Sequence, residues 1–188
     1  KARQLHERIN QAYDDYDFAR VVSSLQNFCS NEMGALYLDV TKDRLYTMQA
    51  DSHGRRSAQT AMYAIVQVLV RALAPVLSFT AEEIWQHIPG TEPASVFLAG
   101  NAEPEALLPA QGAYLQADDA LMQQLLSMRE AVSKVLEPMR AEGKIGAALQ
   151  AEVTVYADGI DVAAMPGLQD ELRFLFITSS LAVQPENS

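Results

Sequence analysis

The 188-residue sequence predicts a mainly α protein, a helical bundle followed by a small α/β subdomain. Three observations carry that expectation. Apolar residues recur at spacings of three and four through long stretches of the first 90 residues and again after position 118, the period of a helix with one buried face. "AEVTVYAD", near the end, alternates instead between apolar and polar side chains, the period of a half-buried strand. Between these regions, residues 89–118 hold four prolines and no Lys or Arg, a composition that interrupts regular structure. The expected organisation is a helical bundle over 1–90, a linker or wrapping segment over 91–117, and a small α/β subdomain over 118–188.

Leu5, Ile9 and Tyr13 place a short opening helix beside a second one. In the second, Phe18, Val21, Val22, Leu25, Phe28, Cys29, Met33 and Leu36 form one face, with Asp17 as its N-cap. On this reading Cys29 is a buried thiol. The next helix starts near Ser57. Ala58, Ala61, Met62, Ile65, Val68, Leu69, Ala72, Leu73 and Val76 follow its period, Asp51 or Ser52 can cap it, and Pro75 ends or kinks it. In "TAEEIWQHIPG" Thr80 and Glu83 have the capping-box spacing, and Pro89-Gly90 is a stop. "SVFLA" is a short apolar anchor against the bundle. A long helix resumes at Asp118 or Asp119 with Met122, Leu125, Met128, Val132, Leu136 and Met139 inward; Pro138 bends its last turn and Gly143 terminates it. Val153, Val155 and Ala157 mark a strand, "LQDELRFLFI" a helix, and "SLAV" a second short strand.

Chemistry is scarce in this pattern. His6, His53 and His87 lie far apart with no ligand spacing, and no G-x-S-x-G, Walker A or G-x-G-x-x-G pattern occurs. "GKIG" at 143–146 follows a helix instead of opening one, which argues against a phosphate cradle. Glu82 and Glu83 fall in a first helical turn, where a structural role with the helix dipole suits them better than acid/base work. One cysteine forms no internal disulfide and builds no Cys-based zinc site by itself, which suits a reducing, cytoplasmic setting. No apolar run approaches the roughly 18 residues of a membrane-spanning helix. The first residues, "KARQLHERIN", are not a secretory signal, and the missing initiator Met suggests a piece of a longer chain.

Binding remains. The net charge is −10, yet residues 1–90 carry nine Lys/Arg against ten Asp/Glu, and residues 91–188 five against fourteen. The acidity therefore sits mostly in the second half, and a local basic face in the first half is compatible with it. "YLDVTKDRLYTMQADSHGRR", residues 37–56, gathers Lys42, Arg44, Arg55 and Arg56 around Tyr37 and Tyr46. On a helix Lys42 and Tyr46 share a face. Aromatic faces beside cations suit unpaired RNA bases and their phosphates, whereas Asp39, Asp43 and Asp51 could pair those cations internally.

Three strings carry a resemblance: "LYLDVTKDRLY", "RRSAQTAMY" and the run from Leu69 to Trp85, "LVRALAPVLSFTAEEIW". With them the chain closely resembles the anticodon-binding helical domain of the class Ia aminoacyl-tRNA synthetases, the bacterial isoleucyl-tRNA synthetases in particular. The likeness continues more weakly through "MREAVSKVLEPMRAEGKIGAALQAEVTVYA" and "DELRFLFITS". The resemblance implies an anticodon stem-loop recognition module of a larger cytoplasmic ligase that attaches isoleucine to its tRNA. Its partners would be an isoleucine-accepting tRNA and the remainder of the synthetase chain, with no membrane, in a monomeric enzyme. ATP with Mg would be used elsewhere in the parent, and zinc in modules outside this chain. The family's ATP-site signatures HIGH and KMSKS are absent here, so the chain by itself is expected to be non-catalytic, with no catalytic and no metal-ligating residue. Lys42, Arg44 and Tyr46 of "KDRLY", with Arg55 and Arg56 of "RRS", are implied as tRNA contacts; Arg71 and Trp85 read as packing residues. The alternatives are the same domain of a valyl, leucyl or methionyl enzyme, or a helical protein-interaction module without an RNA role.

Overall fold

The computed structural model describes residues 1–100, 119–157 and 168–185, which form two compact units with the division between positions 100 and 119. The expected linker therefore lies outside the described residues from position 101 onward.

The first unit is helical. Helix α1 (Ala2–Asp14) packs beside α2 (Phe18–Asn27), which Asp17 caps by accepting the Arg20 N–H at 3.0 Å. Leu5, Ile9 and Ala12 of α1 meet Val21, Leu25 and Phe28, and Ile65, Leu69, Ala72 and Leu73 of a later helix pack against this core. Each such apolar side chain contributes about 1.5–3 kcal/mol when fully buried. α2 does not end at Asn27 but runs on as a π-helix over Phe28–Leu38 and then into α3 (Asp39–Tyr46).

The π segment overturns one expectation. Its wider winding, with i to i+5 bonding, rotates residues away from the face that a 3.6 period assigns to them. Phe28 stays buried, but Cys29 is exposed, and its thiol is shielded only enough for partial burial to push its pKa up. Phe18 and Val22 are also exposed, at the edge of the stripe expected to face inward. Phe18 instead makes edge-on contacts with Tyr13 and Tyr16.

Helix α4 (His53–Leu73) is the axis of the unit. Ser52 caps it, accepting the Arg55 N–H, and Ala58, Ala64, Gln67, Val68 and Val70 are buried. Helix α5 (Ser78–His87) starts two residues before the expected cap at Thr80. The Ser78 hydroxyl donates back to the Ala74 carbonyl at 2.9 Å, so the chain turns into α5 directly after Pro75, and no side chain caps its start. Trp85 lies in a second core with Val70, Ala74, Ala81, Ile88 and Val96. Val96 comes from a 3-10 turn over Val96–Leu98, the apolar anchor read in "SVFLA". Glu82 holds this segment by accepting from the Ser95 hydroxyl at 2.9 Å and the Val96 N–H at 3.0 Å.

The second unit contains α6 (Asp119–Ala141), a 3-10 turn (Ala148–Gln150), strand β1 (Glu152–Tyr156), α7 (Leu168–Phe176) and strand β2 (Ser180–Gln184). The strands pair in parallel, Val153 opposite Leu181 and Val155 opposite Val183. Leu121, Leu125, Leu172, Phe176 and Leu181 form its buried centre. Met122, expected inward, is exposed, and Leu121 takes that place one residue earlier on the helix. Gly143, at φ +73°, ends α6: its N–H reaches the Arg140 carbonyl at 3.0 Å, and that of Lys144 reaches Met139 at 2.9 Å. That bonding pair is a Schellman motif.

Candidate nucleic-acid interface

The polar corner of the sequence becomes the joint between α3 and α4. α3 has a polar composition and one buried residue, Thr41, whose hydroxyl donates to the Tyr37 carbonyl at 2.7 Å. The Tyr37 phenol in turn donates to the Ala58 carbonyl at 3.1 Å, tying the end of the π segment to the second turn of α4. Residues 47–52 close the joint between the two helices.

The five residues singled out by sequence divide into two kinds. Arg44 is half-buried beside Tyr37, and burial pulls its guanidinium below the usual range while the phenol partly offsets this. Burial likewise raises the Tyr37 phenol, with Arg44 opposing. Both remain in their ordinary neutral-pH forms, the arginine charged and the phenol protonated. A Cβ built on Gly54 would lie 3.2 Å from the Met48 sulfur and 4.0 Å from Arg44 Cδ, so the Arg44 stem and Met48 pack over the first turn of α4. Arg55 Nη1 donates to the Met48 carbonyl at 3.1 Å, across the joint. Arg44 and Arg55 thus brace the corner.

Lys42, Tyr46 and Arg56 face solvent. Lys42 Nζ pairs with the Asp39 carboxylate at 2.9 Å, an i,i+3 surface pair worth about 0.2–1 kcal/mol and screened by salt. Such a pair reopens cheaply for a phosphate. Tyr46, at the last position of α3, is 85% exposed. Arg56 makes no side-chain hydrogen bond or ion pair with the described residues. The joint thus presents an aromatic ring and two exposed cations on a floor stiffened by two further arginines.

Sequence reasoning missed the residues that hold this floor: Tyr37 and Met48 as tethers and Gly54 as the close-approach point. The only prior signal was the tyrosine within "LYLD", whose partner Ala58 is 21 residues away. Arg71 behaves as a packing residue. Its guanidinium lies 4.6 Å from the centre of the Trp85 ring, and it donates to the Gln67 carbonyl at 2.9 Å. Among the described residues no cluster of His, Cys, Asp and Glu could hold a metal ion, and no helix is long and apolar enough to cross a membrane.

The sequence matches the family described as the anticodon-binding domain of tRNA ligase over residues 1–155, and the chain belongs to that family. It is 54% identical over 183 residues, 97% of its length, to the isoleucine–tRNA ligase of Xanthomonas campestris pv. campestris (strain 8004), of which it covers 19%. The identity to the isoleucine–tRNA ligase of Stenotrophomonas maltophilia (strain K279a) is 53% over 185 residues, 98% of the chain and 19% of that protein. Against the Xylella fastidiosa (strain 9a5c) isoleucine–tRNA ligase it is 50% over all 188 residues, 20% of that protein. The chain thus spans about a fifth of the length of the curated relatives it matches.

Proposed function

We propose that this chain is the anticodon stem-loop recognition module of an isoleucine–tRNA ligase, with the α3–α4 joint as its RNA-facing surface. The parent enzyme would activate isoleucine with ATP and Mg outside these residues and load it onto the tRNA, as a monomer in the cytoplasm. The carrying observation is that Tyr46, Lys42 and Arg56 are all exposed on the two helices that meet at this joint, in a chain 50–54% identical to the three isoleucine–tRNA ligases named above. An unpaired base stacks on Tyr46, a contact worth about 1–3 kcal/mol. Lys42 and Arg56 take flanking phosphates, and Arg44 and Arg55 hold the surface in shape while adding positive potential.

The test is kinetic. In the full-length ligase, Lys42→Ala, Tyr46→Ala and Arg56→Ala should each raise KM for tRNA about three- to tenfold and leave ATP–pyrophosphate exchange unchanged. Affinity for the isoleucine anticodon stem-loop should fall with salt, log K against log salt declining by about 0.7 per phosphate contact on single-stranded RNA. Unchanged tRNA kinetics in all three variants would remove the joint from the interface, and equal affinity for a scrambled anticodon loop would remove the specificity.

A further inference from the structure

The two ends of α4 carry opposite surfaces. Its N-terminal end holds the cationic joint, and the helix, 21 residues long, then runs about 30 Å at 1.5 Å per residue to the turn before α5. There the surface is apolar: Val76 is 37% exposed, Leu77 50% and Phe79 93%. Beside it, Pro75 and the exposed Phe97 line an open cleft of about 440 Å³ together with Tyr13, Asp14 and Arg71. Two large apolar side chains half or more exposed within three residues, Leu77 and Phe79, are unlike isolated surface hydrophobics and mark a contact surface.

Charge selects the kind of partner. From residue 72 to residue 98 the sequence has no Lys or Arg, while Glu82, Glu83 and Glu92 are acidic. Arg71, the cation at the neighbouring cleft, is engaged by the Gln67 carbonyl and the Trp85 ring, so the patch itself offers no free cation to neutralise phosphates, which disfavours RNA. The curated relatives are about five times as long as this chain and align with nearly all of it, so about four fifths of their length lies outside the region described. We infer that the Val76–Leu77–Phe79 end of the helical unit docks against an apolar surface of the ligase lying outside these 188 residues. α4 then acts as a strut with the RNA-facing joint at one end and the rest of the enzyme at the other. This rests on the reading of the chain as part of an isoleucine–tRNA ligase.

The start of α5 supplies the readout. Among the described residues the N–H groups of Ser78, Phe79 and Thr80 meet no acceptor, because α5 lacks a side-chain cap. If the patch is open they exchange with solvent at nearly unprotected rates. Hydrogen exchange followed by mass spectrometry on the full-length ligase without tRNA should show these amides slowed about tenfold or more. Phe79→Glu, or the milder Phe79→Ser with Leu77→Ser, should restore fast exchange there and leave the amides around buried Trp85 protected. Fast exchange in the unmodified enzyme overturns the inference. So does slowing that appears only when tRNA is added, which makes the patch an RNA surface, or slowing that grows with protein concentration, which makes it a self-contact. Anticodon stem-loop binding measured on the same samples keeps the two questions apart. Intact binding with fast exchange removes the docking surface alone, and lost specificity with slow exchange removes the anticodon reading alone.

Discussion

Arg55 and Arg56 are neighbours with different tasks. Arg55 is tied to the Met48 carbonyl and Arg56 reaches solvent, so truncation should separate stability from binding. Arg55→Ala is expected to cost about 1 kcal/mol of folding stability, the worth of a partly exposed hydrogen bond, as well as affinity. Arg56→Ala should cost affinity with stability within about 0.5 kcal/mol of the unmodified protein. Urea melts beside stem-loop titrations check the split. Glu82 sets a second expectation. The hydrogen bond from Gln86 foremost, opposed by desolvation and helped by those from Ser95 and the Val96 N–H, holds its carboxyl below the ordinary value of 4.5. Its folded pKa is depressed, so its stabilisation is present above the unfolded value and is lost as pH falls through the lower folded one. The Val96 amide resonance should therefore move only on acidification below about pH 4.5, and Glu82→Gln should abolish that movement. Movement at neutral pH would contradict the assignment.

Elements were legible where a local rule governs them. Asp17 and Ser52 cap the helices they precede, and Gly143 terminates α6 in a left-handed conformation. At Gly143 no atom lies within 4 Å of an added Cβ, so Gly143→Ala tests backbone strain alone. It should destabilise the second unit by about 1–2 kcal/mol, and Gly143→Asn by less, as read by thermal melts. The π segment was not legible, because periodicity assumes a winding and cannot report a change in it. Phe28 fits the stripe and Cys29 does not, for the helix widens where the two meet. The joint was half legible. Charge counting found Lys42, Arg44, Arg55 and Arg56, but to such a count all four are equivalent. Burial against Tyr37 and the bond across the turn to Met48 divide them, and both depend on residues that only folding brings together.

At the scale of the molecule the two units differ in charge as well as fold. The balance over residues 111–188 is −6, and that over residues 1–110 is −4. On the proposed reading RNA contact belongs to the helical unit, so damage to the other core should leave it intact. Leu172→Ala, at a fully buried site, should destabilise the second unit by about 2–5 kcal/mol and change stem-loop affinity less than twofold. A parallel loss of affinity would show that the acidic unit participates in recognition.

Trp85 gives the helical unit a label of its own. It is the only tryptophan in the chain, it is 1% exposed, its indole N–H donates to the Pro93 carbonyl at 2.9 Å, and a guanidinium covers its ring. Its intrinsic emission therefore reports on α5 and the segment strapped across it. A fluorescence melt follows the surroundings of Trp85 while circular dichroism follows the helices of both units, so coincident or separate midpoints tell one cooperative step from two without any added dye or engineered probe.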